Sequence, residues 1–184
     1  PDAIRRFQER VEVESGRKLR VLRTDRGGEF NSGEFKAYCE DLGVNQITTT
    51  PYSPQQNRMM ERRNQTVVEM ARCMLKSMEM PAFFWAEAVR TAVYVLNRAP
   101  THSLEGVTPY EAWHGVNPAV HFFRTFGCLS YAKITRPHAG KLDDRSTKAV
   151  FLGYEVGTKA YRLFDPVAKR VIISRDVVFD ETAS

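Results

Sequence analysis

Leu19-Arg20-Val21-Leu22-Arg23-Thr24-Asp25 runs directly into Arg26-Gly27-Gly28-Glu29-Phe30, and how this stretch is read decides the fold. Residues 19–24 alternate with the period of a strand, and an acid closes the run. Upstream, Ile4, Phe7 and Val11 recur at helical spacing, so residues 2 to about 14 read as an amphipathic helix stopped by Ser15-Gly16-Arg17-Lys18. Downstream, Asn31 with Glu34 three residues later resembles a capping box for a helix through Phe35, Tyr38 and Leu42 to a stop at Gly43. Val44 to Thr50 is rich in β-branched residues and ends at Pro51, which predicts a second strand. Ser53-Pro54-Gln55-Gln56 then opens a third helix, with Ser as N-cap, Pro at the first position and Gln at the third. The order helix, strand, helix, strand, helix implies an α/β layer with parallel strands.

The third helix has two faces. Met60, Asn64, Val67, Ala71, Met74 and Met78 form a mostly apolar stripe, read as core packing; Arg58, Arg62, Gln65, Glu69, Arg72 and Lys76 form a polar one. Pro81 opens another helix through Phe84, Ala88, Ala92 and Val95 to Asn97, and Thr108-Pro109-Tyr110-Glu111 caps a short one ending at Gly115. Beyond a linker near residues 115–125 the pattern changes. Residues 126–134, 148–155, 160–164 and 169–179 are short, β-branched and aromatic, which predicts a small barrel of about five strands.

Composition narrows the function classes. A hydrophobic fraction of 42% and a charged fraction of 27% are ordinary for a globular protein. No apolar run approaches a membrane span, and Pro1-Asp2-Ala3-Ile4-Arg5-Arg6 has no signal-peptide core, so neither a membrane nor a secreted location is expected. Three cysteines, Cys39, Cys73 and Cys128, and four histidines lack the short spacings of a disulfide framework or a zinc cluster. The net charge of +5 favours polyanionic partners modestly. Its placement says more: Arg58, Arg62, Arg63, Arg72 and Lys76 face only Glu61 and Glu69 in the same helix.

Asp25, at a strand end, and Glu61, about two turns into the third helix, have 35 residues between them. Hard carboxylate oxygens suit Mg²⁺ or Mn²⁺, and pairs of such ions commonly run phosphodiester chemistry. Gly27-Gly28 would let the backbone turn sharply near a substrate, or would form a plain tight turn. Arg58, Arg62 and Arg63 could contact phosphates; without the two acids they would be a solvated helix face.

These residues carry a family resemblance. Residues 22–30, then Thr50-Pro51-Tyr52-Ser53-Pro54-Gln55-Gln56-Asn57 and Glu61-Arg62-Arg63-Asn64, closely resemble the integrase of copia-type (Ty1/copia) LTR retrotransposons. The likeness continues through Leu96-Asn97-Arg98-Ala99-Pro100, Thr108 to Trp113, Phe126-Gly127-Cys128, Lys141-Leu142-Asp143, Phe151-Leu152-Gly153-Tyr154 and Ser174 to Phe179. It implies an RNase H-like core with three acids on two metal ions, followed by an SH3-like domain. Asp25 and Glu61 match the second and third acids, with Asn57, Arg58, Arg62, Arg63 and Arg72 as the DNA-binding set. The implied organisation is a partial RNase H-like integrase core with its trailing helices over residues 1–115, a linker over 116–125 and an SH3-like β domain over 126–184. The implied partners are DNA, both retroelement ends and target, and further copies of the integrase, and the implied site of action is the nucleus.

The departures count too. The family's first catalytic Asp lies on the first strand of the core, upstream of these residues, together with the first three strands. Asp2 lies on the opening helix and cannot replace it. Arg58 stands where the family usually has Gly, and His121 falls one residue early. Two readings follow: an integrase segment serving metal-dependent DNA joining, or a catalytically inactive remnant that at most binds DNA or a protein partner. A third, an RNase H-type nuclease without strand transfer, gives no role to the SH3-like part.

Overall fold

A computed structural model describes residues 2–24, 27–48, 54–134 and 144–182; the side chains of residues 54–57 and 59 fall outside that description. The described chain forms two compact units, Pro1–Arg63 and Asn64–Ser184.

In the first unit, α1 (Asp2–Ser15) leads to β1 (Val21–Thr24), a short α2 (Gly28–Asn31), α3 (Gly33–Asp41), β2 (Asn45–Thr48) and the start of α4 (Pro54–Ser77). The two strands are parallel, with Val21 opposite Asn45 and Thr24 opposite Thr48. This is the α/β order expected from the sequence, with one addition and one shift. The four-residue α2 takes up the segment read as a turn. The cap of α3 is Ser32 rather than Asn31: its Oγ accepts the Phe35 amide at 3.2 Å, and helical geometry begins at Gly33. α3 closes in a Schellman arrangement, with Val44 N–H donating to Cys39 O, Gly43 N–H to Glu40 O, and Gly43 at φ 65°. Phe35, Tyr38, Cys39 and Val44 form the core, joined by Ile4, Leu19, Leu22 and Phe30. Val21 and Ile47, on the other side of the strands, stay 49% and 41% exposed, so among the described residues the two-stranded sheet is covered on one face only.

A polar chain ties α1 to this core. The Tyr38 hydroxyl donates to Gln8 Oε1 at 2.6 Å, and Gln8 Nε2 donates to Glu12 Oε1 at 2.8 Å. Glu12 also accepts from the Lys18 ammonium and the Leu19 amide. The Lys18 hydrogen bond, then those of Leu19 and Gln8, hold the Glu12 carboxyl down at about 2 from an ordinary 4.5. A depressed carboxyl stabilises the fold above its unfolded pKa and loses that contribution as pH falls through the folded one. Acid titration should therefore weaken the first unit between about pH 4.5 and 2, and Glu12→Gln should flatten that segment of the profile. An unchanged acid limb in the variant, followed by circular dichroism, would exclude Glu12 as its source.

The second unit is built on a five-stranded antiparallel sheet: β3 (Leu129–Lys133), β4 (Ser146–Tyr154), β5 (Tyr161–Asp165), β6 (Arg170–Ser174) and β7 (Val177–Asp180). Its order is β6-β5-β4-β3-β7. The continuous run expected over 169–179 is two strands, because β6 pairs with β5 at one edge while β7 pairs with β3 at the other. The chain changes partner at Arg175-Asp176, where Asp176 O accepts from Lys133 N–H and Ser174 Oγ. Asp165 Oδ1 accepts the Val167 and Ala168 amides and so closes the β5–β6 turn.

Helices complete this unit. Ala71 and Leu75 of α4, Phe84, Ala88 and Ala92 around α5 (Trp85–Leu96), and Phe126 and Leu152 form one core cluster. The Met stripe therefore packs as expected from Val67 onward, whereas Met60 is 62% exposed. α6 (Pro109–His114) is capped by Thr108, whose Oγ1 accepts the Glu111 amide at 3.1 Å, and ends at Gly115 with φ 72°. α5 is fixed to the sheet by charge as well as packing. Arg162 of β5 donates to both oxygens of Glu87 at 2.6 and 3.0 Å and to Glu155 at 2.7 Å. Compactness divides the chain inside α4, at Arg63/Asn64, because α5 packs on the sheet. The modules read from sequence partition it differently, at 115–125.

Candidate functional site

Asp25 follows Thr24, the last residue of β1, and itself lies outside the described residues. Because β1 and β2 run parallel and Thr24 faces Thr48, the chain leaves both strands at the same end of the sheet, toward Asp25 from one and toward α4 from the other. In α/β layers, the carboxyl end of the strands is where ligands bind. Sequence reading did not single out the residue that holds this end together. Gln46 of β2 donates through Nε2 to Thr24 Oγ1 at 3.0 Å and to Phe30 O at 2.9 Å, so one side chain ties β1, just before Asp25, to α2, just after it. A glutamine in a strand carries no signal of this kind until the register is known.

Neither glycine of the Gly27-Gly28 pair adopts positive φ; Gly27 sits at φ −51° and ψ 140° as the N-cap of α2, and its carbonyl accepts from Phe30 N–H. Gly28 has open space where a side chain would stand. The sharp glycine turn read from the sequence is thus a helix start with ordinary dihedrals.

α4 carries the remaining site residues. Glu61, Arg58, Arg62, Arg63 and Arg72 are all exposed, and Asn57 lies in the first turn, its side chain outside the description. Arg62 Nε donates to the Arg58 carbonyl at 3.2 Å, which lays its guanidinium along the helix. Further along, Gln65 Nε2 donates to Glu69 Oε1 at 2.8 Å, so Glu69 is engaged within the helix. Arg58 sits in a helix interior, where glycine would cost about 0.8–1 kcal/mol against a good helix former; the arginine at this position favours α4. Among the described residues, no group of three His, Cys, Asp or Glu side chains is placed to hold a metal ion. No helix among them is long and apolar enough to cross a membrane.

In the second unit, the Leu96-Asn97-Arg98-Ala99-Pro100 motif has a packing role that the sequence did not disclose. The Arg98 guanidinium lies 3.6 Å from the Tyr94 ring centroid and 4.4 Å from that of Tyr110, and Nη1 donates to Tyr94 O. Cation–π contacts of this kind hold α5 to the segment that opens α6. Burial pushes the Cys128 thiol up to about 11, so it is an inert core residue.

An α/β layer with an acid beyond a parallel strand end and a basic helix, followed by a five-stranded SH3-like sheet, defines a class that the comparisons make specific. Residues 128–184 match the retroviral polymerase SH3-like domain. The chain is 44% identical over 177 residues to the retrovirus-related Pol polyprotein from transposon TNT 1-94 of Nicotiana tabacum, covering 96% of this chain and 13% of that protein. It is 33% identical over 175 residues to the corresponding polyprotein from transposon RE1 of Arabidopsis thaliana, covering 95% of this chain and 12% of that one. A chain from the simian T-cell lymphotropic virus intasome in complex with PP2A regulatory subunit B56 gamma aligns at 20% identity with a TM-score of 0.47, covering 94% of this chain and 60% of that one. The chain belongs to the retrovirus-related Pol polyproteins of copia-type transposons. It spans about an eighth of the length of these curated relatives.

Proposed function

We propose that the chain serves as an integrase segment of such a polyprotein, taking part in 3′-end processing and strand transfer of retroelement DNA by metal-dependent phosphoryl transfer. The observation that supports this best is the parallel Thr24–Thr48 register, which directs the chain toward Asp25 and toward α4 from one end of the sheet. Asp25 and Glu61 would hold Mg²⁺ or Mn²⁺. The donor chemistry fits, since both offer hard carboxylate oxygens and the Glu61 side chain is exposed on α4. When bound, such ions neutralise charge at a scissile phosphodiester. The chain's own contribution is positional: Gln46 fixes the strand end before Asp25, and Arg58, Arg62, Arg63 and Arg72 with Asn57 would bind DNA phosphates. In this reading residues 1–115 are RNase H-like core and trailing helices, 116–125 a linker and 126–184 the SH3-like domain. The active species is an oligomer working on DNA in the nucleus.

The alternative is a protein that binds DNA without cutting or joining it. It rests on the exposed arginines of α4, which can contact phosphates without either acid. DNA binding measured against salt tests what the two readings share. Each phosphate contact contributes a slope of about −0.9 in log K against log salt on duplex DNA. The triple substitution Arg58→Ala, Arg62→Ala, Arg63→Ala should reduce the magnitude of the slope by about 2–3. A slope equal to that of the parent chain would remove this helix from the DNA interface. Joining of oligonucleotide ends in Mn²⁺ then separates the two readings.

A further inference from the structure

Within the Asn64–Ser184 unit, α5, the 119–122 segment and the hairpin between β4 and β5 enclose a recess of about 240 Å³. Its walls are Tyr94, Phe122, Tyr154 and Tyr161, with His121 and Lys159 exposed at the mouth. The rings are held in place from behind. Tyr154 stacks on Tyr94 with centroids 4.5 Å apart and planes 20° apart, while Phe122 meets Tyr154 edge-on at 5.6 Å. The Tyr154 hydroxyl accepts the Arg124 amide, and the Tyr161 hydroxyl donates to Phe122 O at 3.4 Å. An aromatic recess fixed in this way has its shape before a ligand arrives.

Size and charge narrow the occupant. The volume is below the about 300–1,000 Å³ of drug-sized sites and suits a single planar ring system. Aromatic cages also take alkylammonium groups through the negative faces of their rings, and a cation at the mouth opposes that attraction. Here the lining residues include no carboxylate, and Lys159 brings a positive charge. Burial raises the Tyr154 hydroxyl to about 12 and raises that of Tyr94, so both stay neutral. A cation is disfavoured, whereas a flat ring carrying an adjacent anion is favoured. The aromatic side chain of a peptide supplies the ring without the anion; a nucleotide supplies both.

We infer that this recess takes one unpaired base of a single-stranded nucleic acid, stacked on the tyrosine wall with its neighbouring phosphate at Lys159. The inference extends the proposed DNA role, but is drawn from residues outside Asp25 and α4. The test measures fluorescence anisotropy of a labelled oligo(dT) and of a duplex of equal length, using the whole chain and two variants. Ala119→Trp plugs the mouth, which Ala119 lines from an exposed position, and Lys159→Glu reverses its charge on an exposed side chain. Each should weaken oligo(dT) binding about tenfold or more, on the scale of one stacked base, and leave duplex binding within about twofold. Unchanged oligo(dT) affinity in Lys159→Glu would overturn the inference, as would equal losses on both substrates. Duplex binding by the parent chain without oligo(dT) binding would overturn it while leaving the DNA role intact. Binding of neither would defeat both. Capture of an aromatic peptide in place of the oligonucleotide would reassign the recess to a protein partner.

Discussion

Gly153→Ala should severely destabilise the Asn64–Ser184 unit. Gly153 sits at φ 141°, beside the register shift between Phe151 and Gly153 that bends β4 against β5. L side chains avoid this region, at a cost of order 1–3 kcal/mol. The added methyl would also run into Thr91 Oγ1 of α5. That hydroxyl is not free to move. It is buried and donates to Leu152 O at 2.6 Å, so displacing it strands a buried carbonyl at a further cost of about 1–3 kcal/mol. Together these take roughly 2–6 kcal/mol from a domain whose stability is typically about 5–15 kcal/mol. Urea unfolding should show the loss as a lowered midpoint at unchanged m-value. Adding Thr91→Ala to Gly153→Ala removes the clash but leaves both the φ strain and an unpaired Leu152 carbonyl, so the double variant should recover only the part of the loss that the steric overlap itself causes. A single variant as stable as the parent would mean that α5 does not press on this bulge.

On the proposed metal-holding role of Asp25 and Glu61, Asp25→Asn and Glu61→Gln should each reduce metal-dependent DNA joining by the full-length polyprotein by about 100-fold or more. Removing partners that merely orient metal ligands already costs 10–100-fold, and loss of a ligand belongs at or beyond the top of that range. The Glu61→Gln change should not disturb folding, since Glu61 is exposed and replaced by a side chain of the same shape. Glu69→Gln supplies the control, because Glu69 shares the helix but is engaged with Gln65. Retained joining in Glu61→Gln would refute the site assignment, and a loss in Glu69→Gln of equal size would show that the assay reads general helix charge. Electron paramagnetic resonance of Mn²⁺ provides a readout independent of turnover: fewer bound ions are expected in the two site variants and an unchanged number in Glu69→Gln.

Much of this architecture was legible along the chain. Helical spacing at Ile4, Phe7 and Val11, alternation over 19–24 and the Thr108 capping box are local signals, and the structure has α1, β1 and α6 at those places. The misreadings share a cause. Asn31 and Ser32 are both good caps, and only the path of α2 into α3 selects Ser32. Gly27 and Gly28 permit a sharp turn but do not require one. Residues 169–179 hold two β-forming runs, Val171-Ile172-Ile173 and Val177-Val178-Phe179, parted by Ser174-Arg175-Asp176, and nothing local says that the two pair at opposite edges of a sheet. Gln46, Arg98 and Gly153 passed without assigned roles because each acts on a residue distant in sequence or reached only through packing.

The sequence alone determined the α/β order of the first unit, the strand-rich character of the last third of the chain, the acids and bases at issue and the family resemblance. Each of these is written in periodicity, capping pairs or contiguous motifs, which depend on neighbours a few residues away. Tertiary structure decided which strand ends coincide, which glycine a neighbouring helix presses on, and that α5 and the second half of α4 belong with the five-stranded sheet. Those outcomes depend on close packing between segments some 20 to 75 residues apart, as between Thr24 and Gln46 or Glu87 and Arg162. In a packed interior the identity of the contacting atom matters, and one-dimensional patterns do not carry it.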